Sequence, residues 1–247
     1  MVLGIRGIFL VLFVALVSTI LSGFSLPFIA LVFLFNKKAA FFLGDFVSKI
    51  WALLIAKFLK IILKVDYQVT GLKNLPNQAC IVACKHQSMF ETIIMHLIFN
   101  RPSYIYKKEL LKMPFYGWFL RFTSSITVDR KGAARAIKKL NNDAKNALNN
   151  GHNVIIFPQG TRTTINQSTQ EVPYKPGIYL MYKSCKTPVI PCVLNSGFFW
   201  PKGFNILKTG TIKIEFLPTI PANLDKKQFM TKLENDIETS YQKLITK

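Results

Sequence analysis

Residues 79–99 read "ACIVACKHQSMFETIIMHLIF", and the way this stretch divides decides the fold. The opening "ACIVAC" (79–84) is short and apolar and mixes small with β-branched residues, the composition of a buried strand. The closing "MFETIIMHLIF" (89–99) is long and apolar enough for a buried helix. His86 and Glu91 therefore fall where a strand hands over to a helix. In α/β folds, ligands bind beyond the carboxyl ends of strands. Residues five apart stand roughly 140° apart around a helix, so the pair cannot meet if both are helical. Ser88 and Glu91, however, fit the capping box S-x-x-E. With Ser88 as N-cap and Glu91 at N3, His86 lies outside the helix and is free to fold back onto the carboxylate. A histidine held in one tautomer by a carboxylate is poised as a general base. The competing reading is that Glu91 only caps the helix and His86 is a loop residue.

Outward from this stretch, "VDYQVTG" (65–71), "SSITVD" (124–129), "NVIIFP" (153–158), "PVIPCV" (188–193) and "TIKIEFL" (211–217) read as further strands. Helical patterns alternate with them. Ile137, Leu140, Ala144 and Leu148 share one face of a helix that ends at Gly151, and Phe229, Leu233, Ile237, Tyr241 and Leu244 form a second stripe behind Asp225 and Gln228. Such alternation predicts an α/β fold, a mixed β-sheet flanked by helices.

The segment before residue 65 is different. Residues 7–35 contain no charged residue and are long enough to span a bilayer, interrupted only by Ser22, Gly23, Ser25 and Pro27. One kinked span or a shallow hairpin fits. A signal peptide fits less well, because no small-residue cleavage site follows Arg6. In 46–64, Lys49, Lys57, Lys60 and Lys64 fall within a sector of about 80° and the other positions are nearly all apolar, the pattern of a helix lying in a membrane interface. A core helix with one solvated face is the alternative. The expected organisation is thus a membrane-inserted segment at 1–36, an amphipathic interfacial helix at 37–65 and an α/β domain at 66–247. Lys37 and Lys38 follow the apolar run, so the domain is expected on the cytoplasmic face of the membrane.

The chain of 247 residues carries 32 Lys+Arg against 12 Asp+Glu, a net charge of +20, with a mean hydropathy of +0.28. A partner surface that is both apolar and anionic reconciles the two, and a bilayer with acidic headgroups is such a surface. Nucleic acid is only anionic, and no nucleic-acid-binding motif is present. The four cysteines, Cys80, Cys84, Cys185 and Cys192, have neither C-x-x-C nor metal-ligand spacing, which predicts no disulfide and no metal site and fits a reducing compartment. Cys84 could act as a thiol nucleophile, but a buried strand cysteine is the simpler reading. His96 and His152 suit core and capping roles.

Cations recur at predicted strand ends. "YKKELLKMPFYGW" (106–118) offers Lys107 and Lys108, "ITVDRKG" (126–132) offers Arg130, and "IIFPQGTRTT" (155–164) sets Gly160, Thr161 and Arg162 after a strand. Arginine grips phosphate with two parallel hydrogen bonds, and glycine lets backbone N–H groups approach it. Each cluster alone is also compatible with a solvated loop.

Taken in order, "HQSMFE", "ITVDR", "FPQGTR" and "TPVIPC" resemble the four motifs of the glycerolipid acyltransferases, of bacterial 1-acyl-sn-glycerol-3-phosphate type, over roughly 65–220. "YKKELLK" and "NSGFFW" (195–200) fall between them in the expected order. The resemblance implies a base at His86, with Glu91 where the family's H-x4-D has aspartate. It implies phosphate binding by Lys107, Arg130, Gly160, Thr161 and Arg162, and an acyl-donor side lined by "TPVIPC". It also implies a two-helix membrane-binding element before residue 65. The substrates would be lysophosphatidic acid and an acyl thioester, acyl-CoA or acyl carrier protein, with no metal and no further cofactor. Two positions depart from the pattern: Glu91 lengthens the carboxylate arm, and Gln159 replaces the glutamate of F-P-E-G, removing an anion beside the phosphate site. The alternatives are acylation of another lysophospholipid and a non-enzymatic basic membrane-surface protein.

Overall fold

The computed structural model describes residues 4–113, 116–128, 133–203, 205–206 and 208–246. Two helices open it, α1 (Ile5–Phe35) and α2 (Lys37–Ile61). Asn36 joins them, and its side chain accepts the N–H of Ala39, so α2 begins at the start of the expected 37–65 helix, ahead of the lysine pattern at 46–64. The pair runs antiparallel. Phe33 meets Phe41 near the turn, the Trp51 indole donates to Ser18 Oγ at 3.0 Å, and Phe13 stacks on Phe58 at 4.0 Å. Pro27 sits inside α1 without ending it.

The inner stripe of α2, with Ala52, Ile55 and Leu59, joins the same apolar core as Leu10 of α1. The outer faces stay exposed. Leu12, Leu16, Ile20, Phe24, Phe28 and Leu31 recur at helical spacing along α1, and Phe42, Phe46 and Leu53 continue the surface on α2. Both helices are long and apolar enough to cross a membrane. Of the lysine sector, Lys49 donates to Asn100 Oδ1 at 3.3 Å and Lys60 pairs with Asp66 at 2.9 Å. The segment therefore packs a core stripe inside and leaves an apolar, lysine-edged face outside.

The domain that follows contains β1 (Val65–Thr70), β2 (Ile81–Cys84), α3 (Phe90–Ile98), β3 (Pro102–Lys107), α4 (Tyr116–Leu120), β4 (Ile126–Val128), α5 (Ala133–Asn149), β5 (Asn153–Ile156), α6 (Gly177–Cys185), β6 (Val189–Leu194), β7 (Gly210–Phe216) and α7 (Lys226–Ile245). The strands form one mixed sheet in the order β1-β7-β6-β2-β5-β3-β4. Neighbours are parallel except for β6 and β7.

Central β2 is buried on both faces, as parallel strands under two helix layers are. Val82 and Cys84 pack toward α2 and α3, whereas Ile81 and Ala83 pack toward α5, α6 and α7. Asp225 and Gln228 close a full capping box on α7, at 2.9 and 3.3 Å. β3 and α6 are additions to the sequence reading. Proline is tolerated at a strand's first residue, and Pro102 followed by the Lys107–Lys108 pair disguised β3 as a basic loop. Because β2, β3, β4, β5 and β6 run parallel, their carboxyl ends share one edge of the sheet. The site is built along that edge.

Candidate active site

β2 ends at Cys84, and the N–H of Lys85 still donates to Cys192 O of β6 at 3.0 Å, so the ladder holds the chain up to the residue before His86. α3 then begins at Phe90, with Met89 rather than Ser88 as its N-cap. The expected capping box is therefore only half formed. Ser88 Oγ accepts the N–H of Phe90 (3.0 Å), while Glu91 reaches back to the N–H of Ser88 (2.8 Å). Ser88 is fully buried and still bonded inside the loop, which delays the helix by one residue.

Glu91 caps the helix and holds His86 as well. Its Oε2, besides the Ser88 N–H, lies 3.0 Å from His86 Nδ1, and its Oε1 accepts the Ser196 hydroxyl. The carboxylate is 0% exposed, and three converging donors offset its loss of water. The Ser88 N–H can only donate, and an ionised carboxylate can only accept, so Oε2 acts as acceptor toward Nδ1–H. That tautomer leaves Nε2 as the basic nitrogen. Phe157, just past β5, stacks on the imidazole with centroids 3.8 Å apart, and the His86 carbonyl is held by Thr163 through its N–H (2.8 Å) and Oγ1 (3.2 Å).

His86 lines a cavity of about 740 Å³ that extends from this edge to α1 and α2. Lys107 at the end of β3 and Gly160, Thr161 and Arg162 after β5 line the same cavity. The structure thus brings these four together with His86, while Glu91 stands behind the histidine. Arg130 lies outside the described residues. Gly160 adopts φ +68°, and its N–H donates to Phe157 O at 2.8 Å. Its contribution is the left-handed turn that aims Thr161 and Arg162, not an N–H offered to a ligand. Apolar walls complete the cavity: Leu21 of α1, Val47 and Trp51 of α2, and Phe119 and Leu120 of α4.

Other expectations change. "TPVIPC" contributes β6, buried at every strand position and lining neither this cavity nor a second one of about 930 Å³ beside α5. A sheet's middle has no surface to offer a donor, so the acyl-donor role implied for it is not seen in this geometry. Gln159 is also buried, its amide donating to Val172 O at 3.1 Å rather than facing the cavity. A carboxylate could not donate that bond, which accounts for glutamine locally. Cys84 is fully buried, and burial beside Cys192 and Glu91 pushes its thiol well above the usual range, so it is no nucleophile. His96 lines the cavity near Tyr104, and burial pulls its pKa down to about 4. Ser196, Phe157, Lys175 and Lys202 are site residues that sequence reasoning missed. Ser196 stands in "NSGFFW", quoted above without a role, and Lys175 and Lys202 sit in loops without regular spacing.

Comparison with known proteins agrees with this architecture. The acyltransferase family model matches residues 66–195. The 1-acyl-sn-glycerol-3-phosphate acyltransferase of Pseudomonas aeruginosa is 31% identical over 193 residues, covering 78% of this chain and 74% of that protein. The Saccharomyces cerevisiae protein of the same name is 30% identical over 172 residues, covering 68% of this chain and 56% of its own length. The crystal structure of the LPA acyltransferase PlsC from Thermotoga maritima superposes with a TM-score of 0.74 at 20% identity, over 97% of each chain, and so shares the fold, both N-terminal helices included. With a matched domain that contains the His86–Glu91 site and a relative at this identity over most of its length, the chain belongs to the acyltransferase family.

Proposed function

We propose that the protein acylates the sn-2 hydroxyl of lysophosphatidic acid from an acyl thioester, giving phosphatidic acid for phospholipid synthesis, with His86 as general base. The observation that carries the reading is the buried Glu91 carboxylate on His86 Nδ1 at 3.0 Å, which leaves Nε2 basic at the wall of a cavity that opens toward the apolar helices. The acceptor hydroxyl passes its proton to Nε2 as its oxygen attacks the thioester carbonyl. The imidazolium, stabilised by Glu91, then returns the proton to the departing thiolate as the tetrahedral intermediate collapses. The transfer is direct, so it calls on no metal or further cofactor.

Lys107, Gly160, Thr161 and Arg162 support a phosphate site, with Lys175 and Lys202 adding charge to the cavity wall; the resemblance of the sequence adds Arg130 to that set. The acyl chain of the acceptor fits the apolar stretch between Trp51 and Leu120. α1 and α2 embed in the bilayer by their outer faces, with the domain on the cytoplasmic side, as Lys37 and Lys38 favour. Their inner stripes are committed to the domain core, which suits a hairpin held in one leaflet better than two free spans.

The test is turnover of the purified full chain with 1-oleoyl lysophosphatidic acid and oleoyl-CoA or oleoyl-acyl carrier protein, with the product identified by mass spectrometry. Phosphatidic acid is expected, and His86→Ala should lower turnover at least about 10²-fold while leaving folding intact. Acylation of other lysophospholipids at equal rates would remove the phosphate-monoester assignment. Wild-type turnover by His86→Ala would remove the base.

A further inference from the structure

The residues on either side of His86 in the chain point away from the cavity, and both are held by one helix near the C-terminus. Lys85 is 2% exposed. Its ammonium lies 2.7 Å from both oxygens of Glu238 and 4.4 Å from the centre of the Tyr241 ring. Gln87 is 1% exposed and donates from Nε2 to the Tyr241 hydroxyl at 2.7 Å. That hydroxyl lies 3.3 Å from Ile165 O, and Glu238 is braced in turn by the Tyr174 hydroxyl at 2.8 Å. Glu238 and Tyr241 are three apart on α7 and so share a face. Gly197 closes the other side of Gln87: a Cβ there would come within 3.1 Å of the Gln87 Cδ.

A buried lysine is costly unless paired, and nothing in packing the core requires a cation at this position. What the pair does accomplish is to fix the main chain on both sides of one histidine. We infer that Glu238 and Tyr241 of α7 are positioning residues for catalysis, clasping Lys85 and Gln87 so that His86 Nε2 keeps its aim into the cavity. Glu91 sets the tautomer and pins Nδ1. Cys192 O holds the Lys85 N–H and Thr163 holds the His86 carbonyl, and the clasp adds the side-chain anchors on either side of them. A misplacement of about 1 Å at a reacting group can cost on the order of 10²-fold in rate, so a distant clasp has leverage on turnover.

The inference rests on His86 as the base, and the test separates the two. Tyr241→Phe keeps the ring under Lys85 and removes only the hydroxyl. Measured on the full chain with 1-oleoyl lysophosphatidic acid and oleoyl-CoA, it should lower kcat about tenfold, leave both KM values within about twofold and barely shift the melting temperature. Combined with His86→Ala, the same substitution should change the residual rate less than about twofold, because its effect passes through the imidazole. The double variant Lys85→Met with Glu238→Gln leaves no unpaired buried charge and should show the same kcat-only loss in folded protein. Equal fold-losses with and without His86 would make the contact merely structural and overturn the clasp. So would unchanged kcat in both Tyr241→Phe and the double variant, if His86→Ala is inactive. Full activity of His86→Ala would overturn the base and the clasp together.

Discussion

Glu91 meets His86 with the same oxygen, Oε2, that accepts the backbone N–H of Ser88, at 3.0 and 2.8 Å. The shared oxygen decides how an amide would sit here. In Glu91→Gln, the Ser88 N–H demands an acceptor, so the amide oxygen takes the Oε2 place and the NH₂ turns to Ser196 Oγ, which can accept. The imidazole keeps its tautomer and loses only the facing charge. We therefore expect a folded variant with kcat down roughly 10–10²-fold, well short of the about 10⁴-fold loss that accompanies a flipped tautomer. Full activity in this variant would leave Glu91 with the capping role alone.

How much of this was legible beforehand follows from which interactions are local. The histidine–carboxylate pair closes within a few residues of chain, so the S-x-x-E pattern and the strand-to-helix handover exposed it. The N-cap slipped to Met89 because Ser88 spends its hydroxyl on Phe90, a detail of loop geometry that spacing does not encode. Ser196 reaches Glu91 across more than a hundred positions, and Lys85 finds Glu238 from the far end of the domain. Only the sheet order brings those partners together. "TPVIPC" is ambiguous for the opposite reason: an apolar strand reads alike whether it lines a pocket or sits in the middle of a sheet.

Arg162 shares the cavity wall with Lys107, Lys175 and Lys202, so it acts in a field of several cations. Replacing it with lysine keeps the charge and loses the paired hydrogen bonds that guanidinium makes to phosphate. The KM for lysophosphatidic acid should rise about tenfold, the worth of one such bond, with the thioester KM nearly unchanged. Equal increases in both KM values would assign Arg162 to the fold or to the donor.

The outer stripe of α1 offers a sharper membrane test than the lysines, two of which already have partners in the domain. Phe24, Phe28 and Leu31 are exposed, so changing them to serine removes little from the core. At about 2 kcal/mol for each large apolar side chain taken from water, the triple variant should partition into vesicles roughly 10⁴-fold less. High salt, which screens only the charges, should leave the wild-type chain in the membrane fraction. A triple variant that still sediments with vesicles would place this stripe away from lipid.

His96 makes stability depend on acid. Burial lowers its folded pKa to about 4 from 6.5, so the folded protein keeps the ring neutral while the unfolded chain takes up a proton on acidification. Its contribution is therefore fully present above about pH 6.5 and is lost as pH falls toward about 4, a span worth about 3 kcal/mol at most. Tyr104 lies against the ring with centroids 4.9 Å apart, and phenylalanine in place of the histidine preserves that contact without a titrating group. Across pH 6.5 to 4, His96→Phe should lose less stability than the parent in denaturant melts of the detergent-solubilised protein. Parallel acid limbs for the two proteins would mean that His96 does not control this transition, and that carboxylates elsewhere in the domain do.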